Sequence, residues 1–219
     1  GGILRFAWPL ILTDVVQKAS RPLVNAYIAH TQGHVAVAVL GLIYPIGHMP
    51  YGWLNAMKSM HPAYLDRPHM RFNRIPRFTA MVILFSVSWG VLATVSGLNR
   101  LLLEKISGVS PSLARASFTP LMIFALFGVP VGLRASLTGW LTADKSTQAL
   151  TFSGLVRIPS IICTLVTLDA LGVKGATLGI AGLFAGFAFQ ALGVVVGMMF
   201  CRRDRSYQAV ESVELKLRA

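Results

Sequence analysis

Residues 77–98 read RFTAMVILFSVSWGVLATVSGL, and this stretch decides the fold class of the chain. After Arg77 it holds 21 residues without a single Asp, Glu, Lys or Arg. At about 1.5 Å per residue, such a helix is roughly 30 Å long, which is the thickness of the hydrocarbon core of a bilayer. The stretch therefore predicts a transmembrane helix.

Five other stretches have a similar length and apolar character. About 20 apolar residues cross the bilayer as a helix, and this rule predicts six spans, at 3–30, 36–62, 77–98, 113–142, 149–169 and 176–200. Of the 219 residues 54% are apolar and 13% are charged, whereas about a quarter are charged in soluble domains. We predict an all-α integral membrane protein, with a six-helix transmembrane bundle over 1–201 in the lipid bilayer and a tail over 202–219.

The chain carries a formal net charge of +12, from 20 Lys and Arg against 8 Asp and Glu. Such an excess raises the possibility of nucleic-acid binding, but the basic residues lie between and within apolar segments, so we expect no nucleic-acid partner. With both chain ends on one side, eleven basic residues fall in the loops and ends of that side and three on the other. The positive-inside rule then places both ends, the loop at 66–77 and the tail in the cytoplasm.

Six basic residues fall inside the predicted spans: Lys18, Arg21, Lys58, Arg115, Arg134 and Arg157. Each costs at least about 2.5 kcal/mol at a lipid-exposed bilayer centre, so they should face protein or a water-filled interior. Lys58 and Arg115 lie near span ends, where a long side chain can reach the surface. Arg134 and Arg157 lie about 12 Å from the cytoplasmic ends of consecutive antiparallel helices. We predict that these two arginines converge on one anion, since guanidinium binds carboxylate or phosphate oxygens in a bidentate manner.

On the first span, Asp14, Lys18 and Arg21 recur at i, i+4 and i+7, which is one face of a helix. Asp14 and Lys18 can pair across one turn, either as a structural pair or beside a site. This leaves Arg21 as the net cation, just before Pro22, which favours a kink. The complete predicted set of anion-binding residues is Arg21, Arg134, Arg157, Lys18 and His48.

Two predicted spans are interrupted by proline and glycine, in YPIGHMPYGW at 44–53 and in GVPVG at 128–132. Lipid cannot satisfy free backbone groups, so such breaks are buried in protein or line a cavity. Transporters use breaks at mid-membrane to bind ions, although proline and glycine are also common in ordinary membrane helices. His48 lies inside the first break as a possible donor or proton-linked group, while a lone histidine is more often structural. The predicted hinge residues are Pro45, Gly47, Pro50, Gly52 and Pro130.

The last span carries glycines four residues apart, at 175/179, 182/186 and 193/197, a pattern typical of close helix packing. The sequence has no HExxH, no Walker A pattern and no Ser/His/Asp set, so we expect no enzyme activity, no cofactor and no metal site. Cys163 and Cys201 show neither metal nor disulfide spacing. The chain opens Gly1-Gly2 without an initiating methionine, and we expect it to be a piece of a longer protein.

Four stretches resemble the C-terminal half of the progressive ankylosis protein family: SRPLVN at 20–25, YPIGHMPYGWL at 44–54, VPVGLRASLTGWL at 129–141 and LGVKGATLG at 171–179. The resemblance implies a fold related to the multidrug and toxin extrusion (MATE) superfamily, in which two six-helix bundles face each other. This chain would then be one half of a two-bundle MATE-like transporter, and its partner would be the missing N-terminal half-bundle. The resemblance also implies that Arg21, Arg134 and Arg157 occupy basic positions of the family.

The family is associated with export of the polyanions inorganic pyrophosphate, ATP and citrate, and through pyrophosphate with restraint of tissue mineralisation. The resemblance therefore implies a plasma-membrane transporter with a polyanionic small-molecule substrate. The excess of cations in the predicted spans agrees with such cargo. Three alternatives stay open: a cation or drug antiporter of the same fold, a MATE-like lipid-precursor flippase, and a scaffold that regulates trafficking or ATP release by another protein.

Overall fold

The computed structural model describes residues 2–67, 73–105 and 108–218, and every regular element in these ranges is a helix, which confirms the all-α class. The elements are α1 (Gly2–Gln32), α2 (His34–His48), a 3-10 helix (Gly52–Ser59), α3 (Met60–Ala63), α4 (Ile75–Val95), α5 (Leu98–Lys105), α6 (Pro111–Ala116), α7 (Phe118–Leu126), α8 (Gly128–Ala143), α9 (Ala149–Ala170) and α10 (Gly175–Arg218). The middle of the predicted loop at 66–77 lies outside the described residues. The predicted tail from 202 continues the helix of α10 as far as Arg218.

Within the described residues, four helical stretches are long and apolar enough to cross a membrane: Ile75–Val95, Pro111–Ala143, Ala149–Ala170 and Gly175–Phe200. α2 and the following Gly52–Ala63 form a fifth if this bent pair is one span. α1 is not among them, because its charged side chains lower its mean hydropathy; they are Arg5, Asp14, Lys18 and Arg21. The long apolar helices agree with the predicted membrane class, while the count of six spans stays a prediction.

The long stretch from α6 to α8 changes its hydrogen bonding ahead of two prolines. Two turn residues, Ser117 and Phe127, separate α6 from α7 and α7 from α8. Each lies three residues before a proline, Pro120 or Pro130, and proline has no N–H to donate to the carbonyl four residues back. The N–H of the residue after each proline donates to the turn residue's carbonyl, at 3.1 and 3.0 Å, and so carries the helix on. The interruption predicted at 128–132 therefore lies at Phe127.

The other break lies between α2 and the 3-10 helix, where α2 and the stretch Gly52–Ala63 are bent by 52° against each other. The carbonyl oxygen of Pro50 accepts hydrogen bonds from Ser86 Oγ of α4 at 2.6 Å and from Trp53 Nε1 at 2.8 Å. These bonds satisfy a backbone group that the bend leaves free, as burial in an apolar environment requires. The role of the predicted hinge residues stays a prediction; their places are Pro45 and Gly47 inside α2, Pro50 in the break, Gly52 at the start of the 3-10 helix and Pro130 in the first turn of α8.

Four glycines of α10 form the contact with α9, where an added Cβ would overlap the neighbouring helix. They pair as Gly182 with Leu165, Gly186 with Ile161, Gly193 with Ser153 and Gly197 with Ala149. The partners follow in reverse order, as they do in antiparallel helices. The predicted packing role of 182/186 and 193/197 is thus confirmed. The third pair is different, because Gly175 adopts a φ of 66° at the start of α10 and Gly179 faces α1 and α2.

Candidate functional site

α1 presents two polar side chains to the inside of the bundle, one helical turn apart. Gln17 is half-buried and Ser20 is fully buried. The Ser20 hydroxyl donates its proton to the Val16 carbonyl at 2.7 Å, which leaves its oxygen free to accept a hydrogen bond. Residues three apart lie on one face of a helix, and each of these two accepts a bond from a different buried arginine.

Arg157, in α9, is the largest of the fully buried side chains in the described part of the molecule. Its Nε donates to Ser20 Oγ at 2.7 Å, and its Nη1 donates to Gln190 Oε1 of α10. The guanidinium carbon lies 4.0 Å from the centre of the Phe187 ring, also of α10. Arg157 therefore joins α1, α9 and α10.

Arg134, in α8, is only 7% exposed. Its Nη1 donates to Gln17 Oε1 at 3.0 Å, and its Nη2 donates to Asn55 Oδ1 of the 3-10 helix at 2.6 Å. Its Nε is buried and has no hydrogen-bond partner among the described residues. Its guanidinium carbon lies 5.9 Å from the centre of the same Phe187 ring.

The structure thus brings the two predicted arginines together around one aromatic ring. Since both distances are measured to the centre of Phe187, the two guanidinium carbons lie within about 10 Å of each other, the sum of those distances. The side chains that accept their hydrogen bonds are neutral: Ser20, Gln190, Gln17 and Asn55. Ion pairs join Asp14 to Lys18 and Glu104 to Arg100, and among the described residues neither Arg134 nor Arg157 has such a pair. Two buried positive charges therefore lack a paired acid.

Arg21 lies apart from this buried pair, on an exposed side of α1. Its guanidinium carbon lies 3.7 Å from the centre of the Tyr44 ring, a cation–π contact. Tyr44 in turn stacks on His48, with 6.5 Å between ring centres. The exposed His48 ring contacts Tyr51 at 4.9 Å.

From Tyr51 the ring contacts continue into the bundle. The Tyr51 and Phe127 ring centres are 5.1 Å apart, and those of Phe127 and Phe187 are 5.5 Å apart. We call the five rings that connect Arg21 to the buried arginines the aromatic row; they are Tyr44, His48, Tyr51, Phe127 and Phe187. The row gives the exposed and buried cations one continuous packed connection.

The remaining cation of the predicted set, Lys18, also lies outside the buried pair. Its Nζ is 2.8 Å from Asp14 Oδ2, and the two side chains are 78% and 60% exposed. The predicted i, i+4 pair is therefore present, on a face of α1 different from that of Gln17 and Ser20. Lys58 and Arg115 are exposed as well. The role of Lys18, Arg21, His48, Arg134 and Arg157 in anion binding stays a prediction.

Sequence reasoning missed the neutral partners of the arginines, because it searched the spans for charge alone. Gln17, Asn55 and Gln190 are amides within predicted spans, where polar side chains are rare and face the protein interior. Gln190 is completely buried and its Nε2 has no partner in the described part of the chain. A search for amides as well as charges would have found all three.

Asp169, the last residue of the span predicted at 149–169, was missed as well. Its carboxylate accepts hydrogen bonds from Tyr27 Oη at 3.2 Å and from Gln32 Nε2 at 2.9 Å. These bonds join the end of α1 to the end of α9. They hold the far end of α1 in place, about two to three turns beyond Ser20.

One protein-family model matches the chain: that of the progressive ankylosis protein (ANKH), over residues 2–88. This range contains the SRPLVN and YPIGHMPYGWL stretches, and with them α1, α2 and the 3-10 helix. The match confirms the resemblance predicted from those residues. It includes Gln17, Ser20 and Asn55, while Arg134 and Arg157 lie beyond it. No solved structure matches the chain.

Proposed function

We propose that this chain is one half of a membrane transporter of the progressive ankylosis type, which exports polyanions such as inorganic pyrophosphate, ATP and citrate. The match to the family model and the long apolar helices support the class of membrane protein. Beyond that class, we propose the polyanionic cargo, a second six-helix bundle that faces this one in a MATE-like arrangement, and a location in the plasma membrane. Export of pyrophosphate would restrain tissue mineralisation. No catalytic step and no cofactor is part of it.

The observation that carries the proposal is the buried pair Arg134 and Arg157, whose hydrogen-bond partners are all neutral. An unpaired charge inside a protein costs several kcal/mol, roughly, even after relaxation. A bound polyanion offsets that cost in two ways. It neutralises the charge of both guanidiniums, and it accepts hydrogen bonds from the N–H groups that have no partner in the present structure. Arg134 Nε is one such donor.

Access to this pair is controlled by α1 in the proposed cycle. Gln17 and Ser20 cover one guanidinium each, so displacement of one helix exposes both arginines at the same time. The structure then corresponds to a closed state in which side chains of α1 stand in for cargo oxygens. Arg21, the net cation on the exposed face of α1, attracts cargo from the cavity between the two bundles, while the charge of Lys18 is balanced by Asp14.

The membrane potential drives this cycle outward. Moving one charge through 100 mV is worth about 2.3 kcal/mol, so an interior-negative potential expels a multivalent anion without a coupling ion. A cation antiporter instead requires a free carboxylate in the pathway. Asp14 does not provide one, because Lys18 pairs with it at 2.8 Å.

Efflux of pyrophosphate, ATP and citrate from cells that express the full-length protein tests the proposal. Arg134→Gln removes the charge but keeps an amide that can still bond Asn55 or Gln17, and we expect at least about tenfold lower efflux, since a hydrogen bond to a charged group contributes about 1.5–3 kcal/mol. Arg115→Gln, which removes an exposed arginine, is the matched control and should leave efflux unchanged.

Surface expression must be equal for all three proteins. Unchanged efflux in Arg134→Gln would remove the proposed site. Efflux that disappears when other ATP channels are blocked would favour a regulator of ATP release. Movement of a lipid-linked pyrophosphate in place of the soluble anions would favour a flippase.

A further inference from the structure

A cavity lined by two arginines lies between the α3 turn and the first turns of α4. Its volume is about 800 Å³, and it is lined by Tyr64, Asn73, Arg74, Arg77, Phe78 and Met81, among others. It is separate from the arginine pair and contributes nothing to the proposed transport site. It has room for a ligand larger than a single ion.

The lining of this cavity changes from polar to apolar along α4. Arg74 and Arg77 are exposed, and over the described residues neither takes part in an ion pair. Phe78 and Met81 follow on the next turn, are 45% and 68% exposed, and have no polar atoms able to hold an anion. Met81 lies about 6 Å further along the helix than Arg77. The cavity therefore offers charge at one end and an apolar wall one turn deeper.

We infer that this cavity binds an anionic phospholipid, with its phosphate on Arg74 and Arg77 and its acyl chains against Phe78 and Met81. A free phosphate would need only the arginines and would leave the apolar half of the cavity unused. A neutral lipid would need only the apolar half. The two halves in one cavity match a molecule that has both parts, and basic pockets at the membrane surface between helices are known to take anionic headgroups.

The charge around the cavity supports an anion. The exposed Arg67 precedes it, and Asp66 is the acid beside it in the described part of this region. The predicted orientation places this end of α4 at the cytoplasmic leaflet, which contains the anionic lipids of a cell membrane. The inference does not depend on the transport cargo, since it would hold equally for a flippase or a scaffold.

The test uses the full-length protein in phosphatidylcholine nanodiscs that contain a small fraction of dansyl-labelled phosphatidic acid. Energy transfer from the protein's tryptophans to the probe reports binding, and the competitors are inorganic phosphate and unlabelled phosphatidylserine, which replaces part of the neutral host lipid. We expect phosphatidylserine to displace the probe from the protein and inorganic phosphate to fail. If millimolar inorganic phosphate alone displaced the probe from the protein, the ligand of the cavity would be a free anion and not a lipid, and the inference would be overturned.

Two variants separate the halves of the cavity. Arg74→Gln/Arg77→Gln should weaken probe binding about tenfold or more, since it removes both basic side chains that hold the anionic headgroup. Phe78→Ser/Met81→Ser should weaken it too, although no charge changes. The matched control, Arg115→Gln/Lys145→Gln, removes the same charge from exposed positions outside this cavity that take part in no ion pair among the described residues. Equal weakening of probe binding in the control would show general electrostatic attraction. Unchanged binding in either of the two cavity variants would show that the cavity is not the site. Each of these results would refute the proposal.

Discussion

Replacing Arg157 with methionine and its partner Gln190 with leucine is expected to reduce polyanion efflux at least about tenfold, while the folded protein keeps or gains thermal stability. Arg157 is 1% exposed, lies within about 10 Å of the like-charged Arg134, and pairs with no acid among the described residues. Apolar residues of similar volume that replace buried ionic groups are often neutral or stabilising. Methionine is unbranched and flexible, so it can fill the space over Phe187. A loss of efflux without a loss of stability is the result that a cargo-binding arginine predicts and a structural one does not.

The neighbours of Arg157 determine whether its replacement also changes the stability of the protein. Ser20 keeps its bond to the Val16 carbonyl, so its hydroxyl stays satisfied in the variant. Gln190 loses the bond that Arg157 donates, and its Nε2 already lacks a partner among the described residues. An unsatisfied buried amide costs about 1–3 kcal/mol. The double variant Arg157→Met/Gln190→Leu removes this cost and should melt no lower than the wild type.

Two measurements are needed for this prediction, on the full-length protein. Pyrophosphate efflux is compared at equal surface expression, and the melting temperature is measured on purified protein. The exposed Arg115→Met is the control for charge and side-chain type, and both of its readouts should match the wild type. If the double variant lost stability in proportion to its efflux, Arg157 would be a structural residue and the proposed site would have to move elsewhere.

The contrast between the buried and exposed cations shows how far the sequence predicts the site. Depth counted along the helices is enough to single out Arg134 and Arg157, because two long apolar spans leave few choices for residues at their middle. The direction in which each side chain points does not follow from this count. Lys18 and Arg21 lie on the same predicted span as Ser20, yet they are exposed, while Ser20 is completely buried. Their i, i+4, i+7 pattern identifies a face and cannot say which helix lies opposite it.

The prolines show a similar limit. Their presence predicts an interruption, because each one removes an N–H from the helix. The place of the break depends on which carbonyl is left without a donor and on what else can bond it. Ahead of Pro130 the regular pattern breaks at Phe127, and at Pro50 the free carbonyl is satisfied by Ser86, which is 36 residues away in the chain. A contact of that kind follows from tertiary packing and is invisible in local sequence.

The glycine spacing in α10 predicts the structure better than the prolines do, because it identifies which face of the helix packs closely. It does not identify the helix that packs there. The structure adds the partner, α9, and a difference in what each glycine meets. Gly182 and Gly186 face the side chains of Leu165 and Ile161, which can change rotamer. Gly193 faces the backbone of Ser153, with an added Cβ at 2.9 Å from Ser153 Cα, and Gly197 faces the backbone carbonyl of Ala149. Side chains can move aside, whereas the backbone of a packed helix cannot.

This difference predicts a graded effect of alanine in the α9–α10 contact. Gly197→Ala and Gly193→Ala should each destabilise the protein by about 1–3 kcal/mol or more, the range found when methyl groups are forced into a packed interior. Gly182→Ala should cost less, because the Leu165 side chain can give way. For the purified full-length protein, the melting temperature should therefore be highest for the wild type, lower for Gly182→Ala, and lowest for Gly193→Ala and Gly197→Ala.

Gly41 provides the matched control for this series. It lies inside α2, is exposed, and an added Cβ there meets nothing within 4 Å. Alanine is favoured over glycine in a helix by about 1 kcal/mol, so Gly41→Ala should melt at or above the wild-type temperature. A fall at Gly41 equal to that at Gly197 would mean that any added methyl group harms this protein, and the close α9–α10 crossing would lose its explanation. If the order holds, the crossing that positions Gln190 and Phe187 against Arg157 depends on two glycines with no chemistry of their own.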